Sequence, residues 1–379
     1  MKGTGVLREQ NKRKILSKIR QLKRTTRQDL VTEMDVSKNT VSLIVEELIT
    51  KDIIKEVGIR IPGQKGRPKR MIELNRDGFK AIGIAIEKED LEYAVINYYG
   101  EVIEKEAILF SCVNVDETKK KIISILTKLN DKYDRILGAG IAIPGIVNSE
   151  KGIVYRSVRL GWENISIHEI ADHVKFPVFV QNSVNMSALS AIEKDGYETN
   201  GKDSFYYIHV GDGVGGAYII DKQIMNGASW TAGEIGHISV DPEGQRCVCG
   251  QKGCLEQLIS LPTFKEKLIH EGFISVSIDN VLNSDGYHQS QMIKDIVYQF
   301  GEFLGRSIIQ IIHLFNPNQI IIDSPYVNFE EFANGCTSYI RESALKIPYE
   351  QTKVIFGKSH YSKSIGAGLC TVINYEENV

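Results

Sequence analysis

Apolar residues recur at helical spacing in three stretches near the start of the chain, and at strand spacing soon after. Residues 7–21 place Ile15, Leu16 and Ile19 on one face with no internal Gly or Pro, which predicts a helix. Thr26 reads as the cap of a short helix through Met34 with Leu30 and Val31 inward. Ser37 caps a third helix to about Thr50, with Val41, Ile44, Val45 and Leu48 inward. This assignment leaves Ser37, Lys38, Asn39, Thr40 and Ser42 on the outward, N-terminal face of the third helix. Strands at 53–59 and 70–74 flank a loop in which Gly63, Gly66 and Pro68 exclude helix, while Lys65, Arg67 and Lys69 make the tip cationic. Three helices and a basic hairpin in this order predict a winged helix-turn-helix over residues 1–75. Its third helix would read base edges in the major groove, where Asn can bond adenine bidentately, and Arg67 would enter a narrow minor groove.

From residue 79 the period changes. Strands are predicted at 79–87, 91–97, 136–143, 178–181, 204–210 and 319–322, with helices at 115–132, 184–193 and 291–315 between them. The strand ending at Ile143 closes on Pro144-Gly145, and the one ending at Val210 runs into the glycine-rich turn 211–216. A duplicated run of strands followed by alternating helix and strand predicts two α/β lobes, divided here as 76–190 and 191–379.

Charge separates the head from the body. Residues 1–75 hold 18 Lys and Arg against 9 Asp and Glu, a net of +9, and the remainder holds 28 against 39, a net of −11. A basic head on an acidic body points to nucleic acid contact by the head alone. No apolar run reaches membrane-spanning length and the polar start lacks a signal-peptide apolar core, so the expected compartment is the cytoplasm.

Three of the six cysteines, Cys247, Cys249 and Cys254, fall within eight residues and follow His237. Three thiolates and an imidazole match a closed tetrahedral structural zinc site, with Gly244, Gly250 and Gly253 permitting the tight backbone. A closed set leaves no position for a metal-bound nucleophile, so the Zn2+ would shape a loop. Cys112, Cys336 and Cys370 are isolated and read as reduced core thiols.

The spacing His-x9-Cys-x-Cys-x4-Cys, with Glu three residues before the His and two after the last Cys, resembles the ROK family of sugar kinases and sugar-responsive repressors over nearly the whole chain. The resemblance implies a two-lobed, actin-like ATPase fold for the body. It also implies that His237 both ligates zinc and bonds a sugar hydroxyl, that Glu234 and Glu256 accept from other hydroxyls, and that Gly145, Trp162 and Asn182 line the same pocket. Arg159 stands where many members have Asn. On the kinase side the pattern is broken. The catalytic Asn-Asp pair is Asn182-Ser183, the first phosphate loop Asp-x-Gly-Gly-Thr-Lys is Ala85-Ile86-Glu87-Lys88-Glu89-Asp90, whose carboxylates would repel ATP, and the adenosine-side Gly-Gly is Asp323-Ser324. Only the turn 211–216 is kept. The expectation is therefore a repressor most like the family's xylose repressors, with no catalytic residues. Operator DNA and xylose or a related aldose would be its partners, and it would form a homodimer or higher homo-oligomer. Sugar would close the lobes and release the operator. An active kinase carrying a DNA-binding head, and a repressor relieved by a protein partner, remain open alternatives.

Overall fold

The computed structural model of the protein describes all residues except 1, 35, 61–68, 195–203, 222, 274–276, 284–288, 358–360 and 379, and the side chains of 2–6 and 60. The head follows its apolar pattern. Helix α1 (Lys2–Leu22) is followed by β1 (Arg24–Thr26), α2 (Arg27–Met34), α3 (Lys38–Thr50), β2 (Ile54–Arg60) and β3 (Lys69–Leu74). Thr26 Oγ1 accepts from the Asp29 N–H at 3.2 Å and Ser37 Oγ accepts from the Thr40 N–H at 3.2 Å, so both predicted caps satisfy donors that α2 and α3 would otherwise leave open. Every residue predicted inward on α1 and α3 is buried, as is Leu30 on α2. Strand β1 is too short and polar to show in the sequence. It pairs with β3 to give the antiparallel order β1-β3-β2. The hairpin tip, with Lys65 and Arg67, lies outside the described residues.

The head does not close a core of its own. Its buried residues join Ala81, Ile96, Tyr98, Leu137, Leu369 and Val372 in one cluster, so the expected boundary at residue 75 is not a linker but a turn within continuous packing. Tyr99 Oη donates to the Lys23 carbonyl and accepts from the Leu74 N–H, Arg135 pairs with Asp52, and Arg76 pairs with Glu101 at 2.7 Å. Arg20 and Glu376, both nearly inaccessible, form a buried ion pair at 3.1 Å between α1 and the last helix.

Two compact units result. One comprises residues 1–190 and 363–379, the other 191–362. The expected second lobe, 191–379, is thus too long: its last helix, Lys363–Asn378, returns to the first unit. Sterics explain the return. A Cβ on Gly83 would lie 1.8 Å from the Ser364 carbonyl oxygen, and one on Gly140 2.1 Å from that of Ala367, so the helix can rest directly on the sheet only where the strands carry glycine.

The first unit's sheet contains β4 (Lys80–Ile86), β5 (Asp90–Asn97), β6 (Val102–Leu109), β7 (Ile136–Ile143) and β11 (Val178–Asn182) in the order β11-β7-β4-β5-β6. A separate antiparallel sheet of β8 (Ile146–Asn148), β9 (Ile153–Ser157) and β10 (Trp162–Ser166) is inserted between β7 and β11. Helix α4 (Val115–Lys132) is capped by Asn114, and α5 (Ser183–Lys194) follows β11 directly. The second unit's sheet contains β12 (Ser204–Val210), β13 (Val214–Ile220), β14 (Gln223–Ile224), β15 (Gln319–Asp323) and β16 (Lys353–Phe356) in the order β14-β13-β12-β15-β16. Each five-stranded sheet is three antiparallel strands in sequence extended by two parallel ones, which is the duplication predicted. No described helix is long and apolar enough to cross a membrane.

Candidate functional site

On the head, α3 presents Lys38 and Asn39 to solvent, with the cap Ser37 also exposed and Thr40 and Ser42 half-buried. Thr40 and Ser37 are partly occupied by the cap, their hydroxyls lying 2.9 Å apart. The carboxylates further along the helix are neutralised. Arg27 bonds Glu46 at 3.1 Å, while Arg8, Lys12 and Lys51 surround Glu47. Burial tends to raise the Glu47 carboxyl, but hydrogen bonds from Lys51 and Lys12 outweigh it and hold it below its usual range. Helix α3 therefore presents no free acid to a phosphate backbone. Lys38 has no ion-pair partner among the described residues.

The second unit holds the cysteine cluster. His237 ends a short 3₁₀ turn, Ile235–His237, and Cys254 precedes the helix Leu255–Ile259. One ligand atom from each of His237, Cys247, Cys249 and Cys254 lies within 4.8 Å of all the others. His237 Nδ1 is 3.6 Å from Cys247 Sγ, which leaves the opposite ring nitrogen for a second partner. Gln251 Nε2 donates to the His237 carbonyl at 3.0 Å and fixes that turn against the loop. Gly253 is indispensable to the geometry. It sits at φ +61°, and a Cβ there would fall 1.6 Å from the Asp241 carbonyl oxygen. The backbone N–H of Gln251, aided by the thiols of Cys254 and Cys247, brings the Cys249 thiol down to about 7, whereas burial and the thiols of Cys249 and Cys247 push Cys254 up to about 12. Three thiols this close cannot all ionise without a cation among them, so the donor set fits a bound metal ion.

Glu234 and Glu256 flank this cluster. Partial burial raises the Glu234 carboxyl above its usual range; His237 opposes that rise and Glu256 adds to it. Glu256 Oε2 accepts from the Val214 N–H at 2.9 Å, and a Cβ on Gly213 would meet the same oxygen at 2.8 Å. Gly213 in the glycine-rich turn 211–216 thus has a structural reason that involves no phosphate: it leaves room for the Glu256 carboxylate.

The other sugar-pocket candidates lie in the first unit. Asn182 Nδ2 donates to the Gly145 carbonyl at 2.7 Å, and its Oδ1 accepts from the Val184 and Asn185 N–H groups at 2.7 and 3.3 Å. One amide N–H of Asn182 is left for a ligand. Gly145 sits at φ +129°, where a Cβ would lie 2.3 Å from the Arg156 carbonyl oxygen. Trp162 corrects the expectation of a surface for a sugar ring. It is 2% exposed inside the first unit's core, and its Nε1 donates to the Val113 carbonyl at 3.1 Å. The indole positions the segment 159–162 and shows no open face.

Two departures from the family pattern are partners of one another. Arg159 Nε lies 3.0 Å from Glu87 Oε2, and Lys363 bonds Glu87 Oε1. The repulsion expected from three carboxylates is accordingly weaker than charge counting suggests, because two cations already sit on Glu87. Strand β4 also turns straight into β5, the Glu87 N–H donating to the Asp90 carbonyl at 2.9 Å, so there is no loop long enough to wrap a phosphate. In the second unit Tyr207 Oη donates to Asp323 Oδ2 at 2.5 Å, His209 Nδ1 lies 3.4 Å from the same oxygen, and Ser324 Oγ accepts from the Tyr326 N–H. Sequence reasoning marked Glu87, Arg159 and Asp323 as departures but gave no sign that internal partners hold them.

These geometries can be set beside known proteins. The ROK family sequence model matches residues 81–369. The chain belongs to the ROK family. The match begins after the three helices and the hairpin of the head. A xylose repressor of Caldicellulosiruptor bescii is 29% identical over 347 residues, covering 86% of each chain, and the DNA-binding transcriptional repressor Mlc of Escherichia coli is 25% identical, covering 81% of this chain and 79% of its own. Among solved structures, a ROK family transcriptional regulator described as a homolog of the E. coli MLC protein superposes with a TM-score of 0.79 at 24% identity, covering 93% of this chain and 92% of the other. A ROK hexokinase from Thermus thermophilus gives 0.64 at 18% identity, covering 76% of this chain and 97% of its own. Both likenesses show the shared α/β fold.

Proposed function

We propose that this ROK protein is a sugar-responsive transcriptional repressor of xylose or related pentose use, which binds operator DNA through its head and lets go when sugar binds. The observation that carries the reading is a helix-turn-helix with an acid-neutralised third helix, packed onto a ROK body whose phosphate-loop and adenosine-side positions hold Glu87 and Asp323 with internal partners. Similarity to proteins named xylose repressors supports the choice of sugar. In this reading Lys38 and Arg67, with Lys65, contact phosphates, Asn39 reads adenine, and Ser37, Thr40 and Ser42 flank them. Glu234, His237 and Glu256 accept from and donate to sugar hydroxyls, with Asn182 and Gly145 contributing. His237, Cys247, Cys249 and Cys254 hold one structural zinc, which orients His237 and does no chemistry of its own. Two heads are needed to read two half-sites, so the working form is a homodimer or larger, acting in the compartment that holds the chromosome.

Release requires only that sugar and operator favour different states of the protein. The head shares its core with the first unit, so any rearrangement of that unit carries α3 with it.

Two expected results follow from the site. Phosphotransfer is absent: a coupled assay with ATP and a panel of aldoses should give no sugar-dependent turnover, and turnover abolished by Asn182→Ala would overturn the repressor reading. On DNA, Asn39→Ala should cost about 1–3 kcal/mol on the operator while nonspecific binding stays nearly unchanged. Lys38→Ala should instead weaken both and flatten the salt dependence by about one unit of slope. Titrating each variant against operator and scrambled duplex at several salt concentrations separates the two roles, and equal loss by Asn39→Ala on both duplexes would remove α3 as the reader.

A further inference from the structure

Leu43 is the one exposed large apolar side chain among the described residues of α3. It is 67% accessible, whereas the four apolar residues predicted inward on the same helix are at 0%. It follows Asn39 by four residues, so the two side chains lie on one face about 5–6 Å apart at Cβ. That distance spans between one and two base-pair steps of B-DNA, at about 3.4 Å each. Its surroundings are prepared for an anion. Glu46, three residues on, is tied to Arg27, and Glu47 to Arg8, Lys12 and Lys51, while the first 75 residues carry a net +9. An apolar side chain in the major groove has one apolar target there, the 5-methyl group of thymine.

We infer that Leu43 reads a thymine methyl group within two base-pair steps of the adenine read by Asn39, so that α3 specifies a short A·T-containing element through one polar and one apolar contact. This rests on the head being the DNA reader, and the test keeps the two apart. Duplexes enriched from a random pool by the full-length protein supply the operator, and each thymine in it is then replaced singly by uracil, which removes only the methyl group. The wild type should lose about fourfold in affinity at one thymine, the equivalent of one buried methyl or methylene group, and should be indifferent at the others. Leu43→Ala should bind the thymine and uracil duplexes equally at that position, with an unchanged circular dichroism spectrum because the side chain is solvent-facing. If the wild type is indifferent to uracil at every position, or Leu43→Ala keeps the discrimination, Leu43 is not a reader, while the enriched sequence still assigns the head to DNA. If no sequence is enriched at all, the head's assignment to DNA fails, and this inference fails with it.

Discussion

Cys249→Ser is expected to release the metal from the purified protein and to abolish its sugar response. Wild-type protein prepared without added metal should carry about one zinc per chain by elemental analysis, since a set of three thiols and an imidazole within 4.8 Å is a high-affinity donor set that releases its protons to the ion. Cys249 is the exposed member, yet its thiol is already brought down to about 7, mainly by the Gln251 N–H, so it stands ready to bind as a thiolate. Without it, His237 loses the ion that fixes its ring, and the thermal stabilisation that the effector sugar gives the wild type should vanish. Gly253→Ala is the companion variant. It keeps all four ligands but sets a Cβ against the Asp241 carbonyl at a left-handed φ, so it should lose metal and sugar response together. Wild-type protein with no stoichiometric metal would refute the proposed centre.

Arg20→Ala is expected to destabilise the first unit by about 3–5 kcal/mol, because it leaves the Glu376 carboxylate buried without its countercharge. The pair has 3% and 6% side-chain exposure, so solvent cannot take over the role of the guanidinium. The double variant Arg20→Met/Glu376→Leu should recover most of that loss, since removing both charges also removes the cost of burying them. Denaturant unfolding of the wild type and these two variants gives the comparison. A loss below about 1 kcal/mol for Arg20→Ala would mean that the head is held to the last helix by apolar packing alone.

The sequence disclosed what is periodic and local. The inward faces of α1 and α3, the caps Thr26 and Ser37, the bounds of α4 and the ligand spacing of the cysteine cluster all depend on residues close together in the chain. What escaped it depends on distant pairing. Strand β1 forms only because β3, more than forty residues away, offers its edge. The last helix belongs to the first unit because Gly83 and Gly140 leave room for it, and nothing in residues 363–378 announces that. Trp162 looks like a stacking surface in the sequence, and only the packing of the first unit shows it enclosed. Glu87 was visible as a departure from the kinase pattern and Arg159 as a departure on the sugar side. That they compensate one another needed coordinates.

Sugar alone, without phosphate transfer, should change the protein's hold on DNA. The direct measurement is the affinity of the full-length protein for its enriched duplex, by fluorescence anisotropy, with and without each aldose of a panel that includes xylose, and with no nucleotide present. Xylose or a close relative should lower the affinity by about 5- to 150-fold, the usual range of coupling between two sites. An affinity unchanged by every aldose would contradict it.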